Sequence, residues 1–181
     1  MEFVEPLRSI SDIEKVKDLL FKKKSRDFIL FEIGINTGLR ISDILPLKVK
    51  DVKDKDHIVL HEQKTKKFKQ VFIMDILRGE INNYVKDLET EQYLFESNKC
   101  SNHISRIQAY RILNDACKSV GIKENIGTHT LRKTFGYHFY KKTKDLALLQ
   151  NILNHSSPKV TMRYIGLNQD IIDDSLKNFH L

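Results

Sequence analysis

His129-Thr130-Leu131-Arg132, followed by His155-Ser156-Ser157-Pro158-Lys159-Val160-Thr161-Met162-Arg163-Tyr164, sets two histidines, an arginine and a tyrosine on short segments of helical character. Three residues apart on a helix, His129 and Arg132 share one face, with Gly136 one turn further on. The apolar stripe Leu131, Phe135, Phe139 runs beside that face, so the pair borders the core and Gly136 leaves room for close approach. Ser157 and Pro158 make a sound N-cap and first-turn pair for the segment that carries Tyr164. The spacing predicts helices over about 130–141, 145–153, 158–165 and 169–178.

Upstream, Thr37-Gly38-Leu39-Arg40-Ile41-Ser42-Asp43 puts an arginine just past a helix-ending glycine, at a corner defined by the backbone. The preceding DFILFEIGIN (27–36) is almost wholly apolar and reads as a central core helix capped by Ser25. A short helix from Ile41 to Leu45 is closed by Pro46. The capping box Ser11-Asp12-Ile13-Glu14 opens a first helix, with Ile13, Val16, Leu19 and Leu20 inward and Lys22, Lys23 and Lys24 at its end.

From His57 to Met74 the period changes to that of a β-hairpin around the turn Lys64-Thr65-Lys66-Lys67. Lys66, Lys67 and Lys69 are candidate contacts to a polyanion backbone, with Phe68 anchoring below them. Asp75 caps a helix with the stripe Leu77, Ile81, Tyr84, Val85 and Leu88. Ser105 opens another, with Ile107, Tyr110, Leu113, Cys117 and Val120 on one side and Gly121 at its end. With no repeat and no linker, residues 1–181 read as a single α+β domain, mostly α-helical with a small antiparallel β-sheet.

Composition narrows the function. A chain of 181 residues with 40% hydrophobic and 30% charged residues is globular, and a formal net charge of +7 favours a polyanion partner. No run is long enough for a membrane span and no apolar leader opens the chain, so a cytoplasmic protein is expected. Cys100 and Cys117 lie far apart without a CxxC spacing, and the histidines form no HExxH, so no metal site is expected. Arginine is scarce, eight against 23 lysines, which makes Arg40 and Arg132 informative as bidentate phosphate ligands.

Taken together, these segments resemble the catalytic domain of the tyrosine recombinase (phage-type integrase) family. Its pattern is an arginine after a TGLR-like corner, a hairpin lysine, His-x-x-Arg, a second histidine and a tyrosine nine residues later. Arg40, Lys64, His129, Arg132, His155 and Tyr164 fall on those positions, and Asp43 on the acidic one three residues after the first arginine. Asn154 stands where glycine usually precedes the second histidine, and the hairpin turn lacks its customary glycine.

The resemblance implies the fold of DNA breaking-rejoining enzymes and site-specific recombination or integration of double-stranded DNA. Strands are cut through a covalent 3′-phosphotyrosyl intermediate, with no cofactor. Arg40 and Arg132 would clamp the phosphate, Lys64 protonate the leaving oxygen, and His129 serve proton movement at Tyr164. His155 would donate to a phosphate oxygen, and Asp43 orient Arg132 or His129. Family members usually carry an N-terminal core-binding domain, expected to be absent here, so the expectation is a fragment, a naturally short member, or a separate partner that completes the clamp. The C-terminal helix Ile171 to Phe179 resembles the segment that docks into a neighbouring subunit, implying a homo-oligomer on DNA. Two rival readings are a catalytically weak or inactive DNA-binding module of the same fold and a type IB topoisomerase-like relaxer.

Overall fold

In a computed structural model, which describes residues 4–98, 100–166 and 176–177, the apolar stretch expected at the centre is there. Helix α2 (Ser25–Thr37) buries Phe28, Ile29, Leu30, Phe31 and Ile33. Phe31, fully enclosed, contributes about 1.5–3 kcal/mol by leaving water. Helix α1 (Ile10–Lys23) lays Ile13, Val16 and Leu20 against α2. Its cap is Ser9, whose hydroxyl accepts from Asp12 N at 3.2 Å, and not Ser11 of the expected capping box. Likewise Lys24, not Ser25, is the N-cap of α2, because its extended backbone separates the two helices.

Gly38 ends α2 as expected, at φ 62°, a conformation that glycine adopts without strain. A Cβ at that position would also lie 2.5 Å from the Phe135 ring, so the corner has room only for glycine. The short helix α3 (Ile41–Ile44) follows, and after it a single 3-10 turn, Val49–Asp51.

Strands β1 (His57–His61) and β2 (Phe68–Phe72) form the antiparallel hairpin, in the register His57 to Phe72 and His61 to Phe68. Phe68 does not anchor the hairpin. It is 62% exposed and packs edge-on with His61, since the pair lies on the outer face of the ribbon. Helix α4 (Asp75–Val85) buries Leu77, Ile81 and Val85, with Met74 rather than Asp75 at the cap position.

A second small hairpin, β3 (Glu96–Ser97) with β4 (Cys100–His103), is present where no sheet was expected. Helix α5 (Arg106–Ser119) is capped by the Ser105 hydroxyl, as expected, but its buried stripe is Ala109, Leu113, Ala116 and Cys117. Ile107 and Tyr110 are exposed instead, rotated off that stripe.

The chain closes with α6 (Thr128–Thr143), α7 (Leu146–Leu153) and α8 (Pro158–Tyr164), the last capped by Ser157. Helix α6 packs along α2 and carries Leu131 in the main core. A smaller cluster of Leu149, Leu153 and Ile165, flanked by Phe135, Phe139 and Tyr164, joins α6, α7 and α8. Gly136 serves that seam, because a Cβ there would sit 2.5 Å from Ile165 Cγ2. The expected helix over 169–178 falls outside the described residues apart from Leu176 and Lys177, which are helical. No helix among the described residues is long and apolar enough to cross a membrane.

Candidate active site

Four chain segments converge on one cleft: the Gly38 corner, the hairpin, the start of α6 and the turn from α7 into α8. Arg40 is the N-cap residue of α3, so its extended backbone leaves the helix and its side chain lies against the hairpin. Arg132 is 2% exposed, among the most buried side chains of the molecule. Its Nη1 donates to the Gly38 carbonyl and its Nη2 to the Leu153 carbonyl, which bolts the guanidinium between the corner and α7. Two of its five N–H donors are thereby used, and the guanidinium also hydrogen-bonds the Tyr164 phenol.

Tyr164, at the end of α8, places its hydroxyl 3.3 Å from His129 Nδ1, within hydrogen-bond reach. Its ring meets the His155 ring edge-on at 4.9 Å between centroids, and the Lys133 ammonium lies 5.4 Å over its face. Burial pushes the Tyr164 phenol above its ordinary value of 10, while the charges of Arg132 and Arg40 pull the other way. Burial also lowers His129, helped by Arg106, Arg132 and Lys133, so that this ring is neutral near pH 7 and can accept a proton. His155 is brought down to about 4 by burial and by Arg132, Arg40 and Lys69. Its Nδ1 lies 3.1 Å from the Thr161 hydroxyl, which donates to the Ser157 carbonyl. Nδ1 is therefore the donor of that pair, and Nε2 becomes a second donor only in the imidazolium.

The hairpin divides its lysines between two faces. Lys64, Lys66 and Lys67 are exposed at the tip, Lys66 with a positive φ of 58°. Lys69 pairs with Leu60 across the ribbon and points inward, its side chain only 13% exposed. Its Nζ donates to the Ile152 carbonyl at 2.8 Å and lies 3.6 Å from Glu62 Oε1. Burial, with Arg132 and Arg40 nearby, lowers this ammonium to about 8.

Glu62 was not singled out by sequence, yet it is 1% exposed and sits among these cations. Oε1 lies 2.6 Å from Arg40 Nη1, an ion pair off the hydrogen-bond line. Oε2 accepts from the Thr65 hydroxyl at 2.6 Å and from Asn154 Nδ2 at 3.2 Å. Burial alone would raise this carboxyl; the two hydrogen bonds and the charges of Arg40 and Lys69 override it and hold the group at about 2. Asn154 occupies the left-handed region at φ 51°, which glycine visits freely and asparagine tolerates.

Asp43 is 5% exposed, and its Oδ1 accepts from Gln63 N at 2.8 Å, tying α3 to the hairpin tip. Its charge acts favourably on Arg132. Among the described residues no hydrogen bond joins Asp43 to Arg132 or to His129.

The structure thus brings together Arg40, Arg132, His129, His155 and Tyr164, with Asp43 beneath them, and leaves Lys64 outside on the tip. A cavity of about 700 Å³ opens beside the tyrosine, lined by Arg106, His129, Lys133, Arg163 and Tyr164. Arginines, neutral imidazoles and a phenol in one cleft suit transfer of a phosphoryl group to the phenol.

Comparison with known proteins identifies the family and the fold. The chain is 55% identical over 179 residues to a Bacillus subtilis (strain 168) protein named probable integrase/recombinase YoeC, covering 99% of this chain and 98% of that one. Identity to tyrosine recombinase XerA of Pyrococcus furiosus is 26% over 174 residues, covering 94% of this chain and 60% of that protein. Crystallographic XerA recombinase matches with a TM-score of 0.80 at 21% identity, over 100% of this chain and 66% of the other. XerH site-specific recombinase, solved with its palindromic difH substrate in a post-cleavage complex, matches at 0.79 and 19%, over 98% and 54%. The chain therefore spans nearly all of YoeC but little more than half to two thirds of the longer Xer proteins. The fold is that of tyrosine recombinase catalytic domains. With the phage integrase family model matching residues 8–170, the chain belongs to the phage integrase family.

Proposed function

We propose that the protein is a site-specific DNA recombinase or integrase that cuts and rejoins DNA through a covalent 3′-phosphotyrosine at Tyr164. The observation that carries this reading is the Tyr164 hydroxyl at 3.3 Å from His129 Nδ1, beside the buried guanidinium of Arg132 and within one chain.

The chemistry follows from the residues. Arg40 and Arg132 hold the non-bridging oxygens of the scissile phosphate and neutralise the charge that grows in the transition state. As the Tyr164 oxygen bonds to phosphorus, the phenol proton passes to His129 Nδ1. The P–O5′ bond breaks with its electron pair on O5′, and Lys64, swinging in from the tip, supplies the proton that makes the 5′-hydroxyl. His155 donates from Nε2 to a phosphate oxygen once the anion's charge has favoured its imidazolium. Attack by a 5′-hydroxyl on the phosphotyrosine runs each transfer backwards and releases Tyr164. No metal or nucleotide takes part.

The partner is double-stranded DNA, met by the exposed Lys66 and Lys67 and by the arginines of the cavity. On DNA the protein acts as a homo-oligomer, its C-terminal segment docking on a neighbouring subunit. The test is covalent trapping on nicked suicide duplexes drawn from DNA flanking the protein's gene, at low salt with EDTA. A shifted, protease-sensitive band lost in Tyr164→Phe is expected. Binding without trapping would favour a DNA-binding module of the same fold, and steady relaxation of supercoiled plasmid would favour a topoisomerase.

A further inference from the structure

Glu62 is the most enclosed carboxylate beside the arginines, and the transfer chemistry gives it no part. A negative charge next to a phosphate site opposes substrate binding, so its presence asks for a compensating role. Its surroundings specify one. The two carboxylate oxygens divide their partners: Oε1 faces Arg40 and Lys69, while Oε2 takes the Thr65 hydroxyl and the Asn154 amide. These four residues come from three segments, namely the Gly38 corner, both arms of the hairpin turn, and the α7 C-cap that precedes His155.

We propose that Glu62 is a positioning residue of the reaction centre, fixing the Arg40 guanidinium and the Lys69 ammonium and tying the hairpin to the turn that carries His155 and Tyr164. This rests on the recombinase reading of the same cleft.

Three observations argue for it. Arg40 Nη1 lies 2.6 Å from the carboxylate but off the hydrogen-bond line, so charge attraction holds the guanidinium against the hairpin without a hydrogen bond at Nη1. Without the carboxylate, Arg40, Lys69 and Arg132 would face one another as like charges, and Arg40, with 14% of its side chain already exposed, would turn toward water. Asn154 stands in a left-handed conformation that glycine would hold more cheaply, and the amide that its side chain supplies is spent on Glu62. The pairing of Glu62 with Asn154 explains the asparagine at that position.

The experiment compares wild type with Glu62→Gln and Glu62→Asp in two measurements on the full chain. The first is the single-turnover trapping rate at saturating protein, read beside duplex affinity. Loss of alignment by about 1 Å costs on the order of 10²-fold in rate. Glu62→Gln is expected to slow trapping by about that factor while duplex affinity holds or rises, since a negative charge is removed, and Glu62→Asp to recover part of the rate. The second is guanidinium ¹⁵N NMR of the protein free of DNA. Separate Nη–H resonances for Arg40, from hindered rotation, are expected in wild type and a single averaged one in Glu62→Gln. Trapping at the wild-type rate in Glu62→Gln, or an Arg40 equally restricted without the carboxylate, overturns the proposal. A wild type that binds duplex and never traps defeats the recombinase reading, and the NMR comparison still decides whether Glu62 positions Arg40.

Discussion

Gly136→Ala adds one methyl group to the seam beneath the nucleophile. The added Cβ would lie 2.5 Å from Ile165 Cγ2, whereas carbon atoms rest about 3.5–4.0 Å apart. Ile165 is fully buried between α6 and α7, so it cannot rotate away and the end of α8 must move outward by about 1 Å. Tyr164, the adjoining residue, moves with it. Overpacking of this kind costs about 1–3 kcal/mol, partly offset by about 1 kcal/mol of helix propensity gained from alanine. The net loss of up to ~2 kcal/mol lowers the melting temperature by at most about 8 °C, leaving the protein folded at 25 °C. The rate bears the larger effect. A displacement of about 1 Å at the attacking oxygen costs on the order of 10²-fold, and the His129 hydrogen bond lengthens with it. Single-turnover trapping measures the first quantity and thermal unfolding the second. A variant that traps at the wild-type rate would refute the claim that this seam sets the position of Tyr164.

Further outcomes follow from the same geometry. Lys64→Ala should lose trapping on ordinary DNA and regain it on a duplex with a 5′-bridging sulfur, whose thiolate leaves without a proton; Lys69→Ala should not be rescued. Equal rescue of both would move the acid role into the cleft. The His155 ring titrates at about 4 when folded against 6.5 ordinarily, so the unfolded chain binds the extra proton between those values. Stability should therefore rise with pH from about 4 to 6.5, and urea unfolding of His155→Gln should show a shallower slope. Glu62 acts with the same sign in a lower window, its contribution being complete above 4.5 and lost as pH falls toward 2. Duplex affinity should drop by roughly 10³ or more between 50 and 200 mM salt if six or more phosphates are engaged, and a flat titration would contradict backbone binding. Cys117, 1% exposed and pushed up to about 12 by burial, should resist alkylation in the folded protein, as followed by mass spectrometry.

The parts of this site that could be read from sequence are those fixed by backbone signals. Gly38 marks the corner that sets Arg40, Ser157 and Pro158 mark the start of α8, and the three-residue spacing of His129 and Arg132 fixes their common face. What could not be read depends on parity and packing. Alternation along β1 and β2 makes Leu60, Glu62 and Lys69 neighbours on the inner face and sends His61 and Phe68 outward, a choice that the mixed pattern of KTKKFKQ does not reveal. Lys69 thus looked like its exposed neighbours, and Glu62 like a polar strand end. Strands β3 and β4 are too short to show a period. In α5 a stripe drawn through Ile107 and Tyr110 competed with one through the smaller Ala109 and Ala116, and close packing selected the alanines. At α1, the capping-box pattern pointed to Ser11, whereas the backbone places the cap two residues earlier, at Ser9.

The most direct test of the covalent mechanism is to locate the protein–DNA bond. The trapped adduct would be digested with nuclease and protease and its peptides sequenced by tandem mass spectrometry. A nucleotide joined through its 3′-phosphate to the oxygen of Tyr164 is the predicted result. A bond to any other residue, or a linkage through a 5′-phosphate, would contradict the assignment of Tyr164 and the direction of attack together.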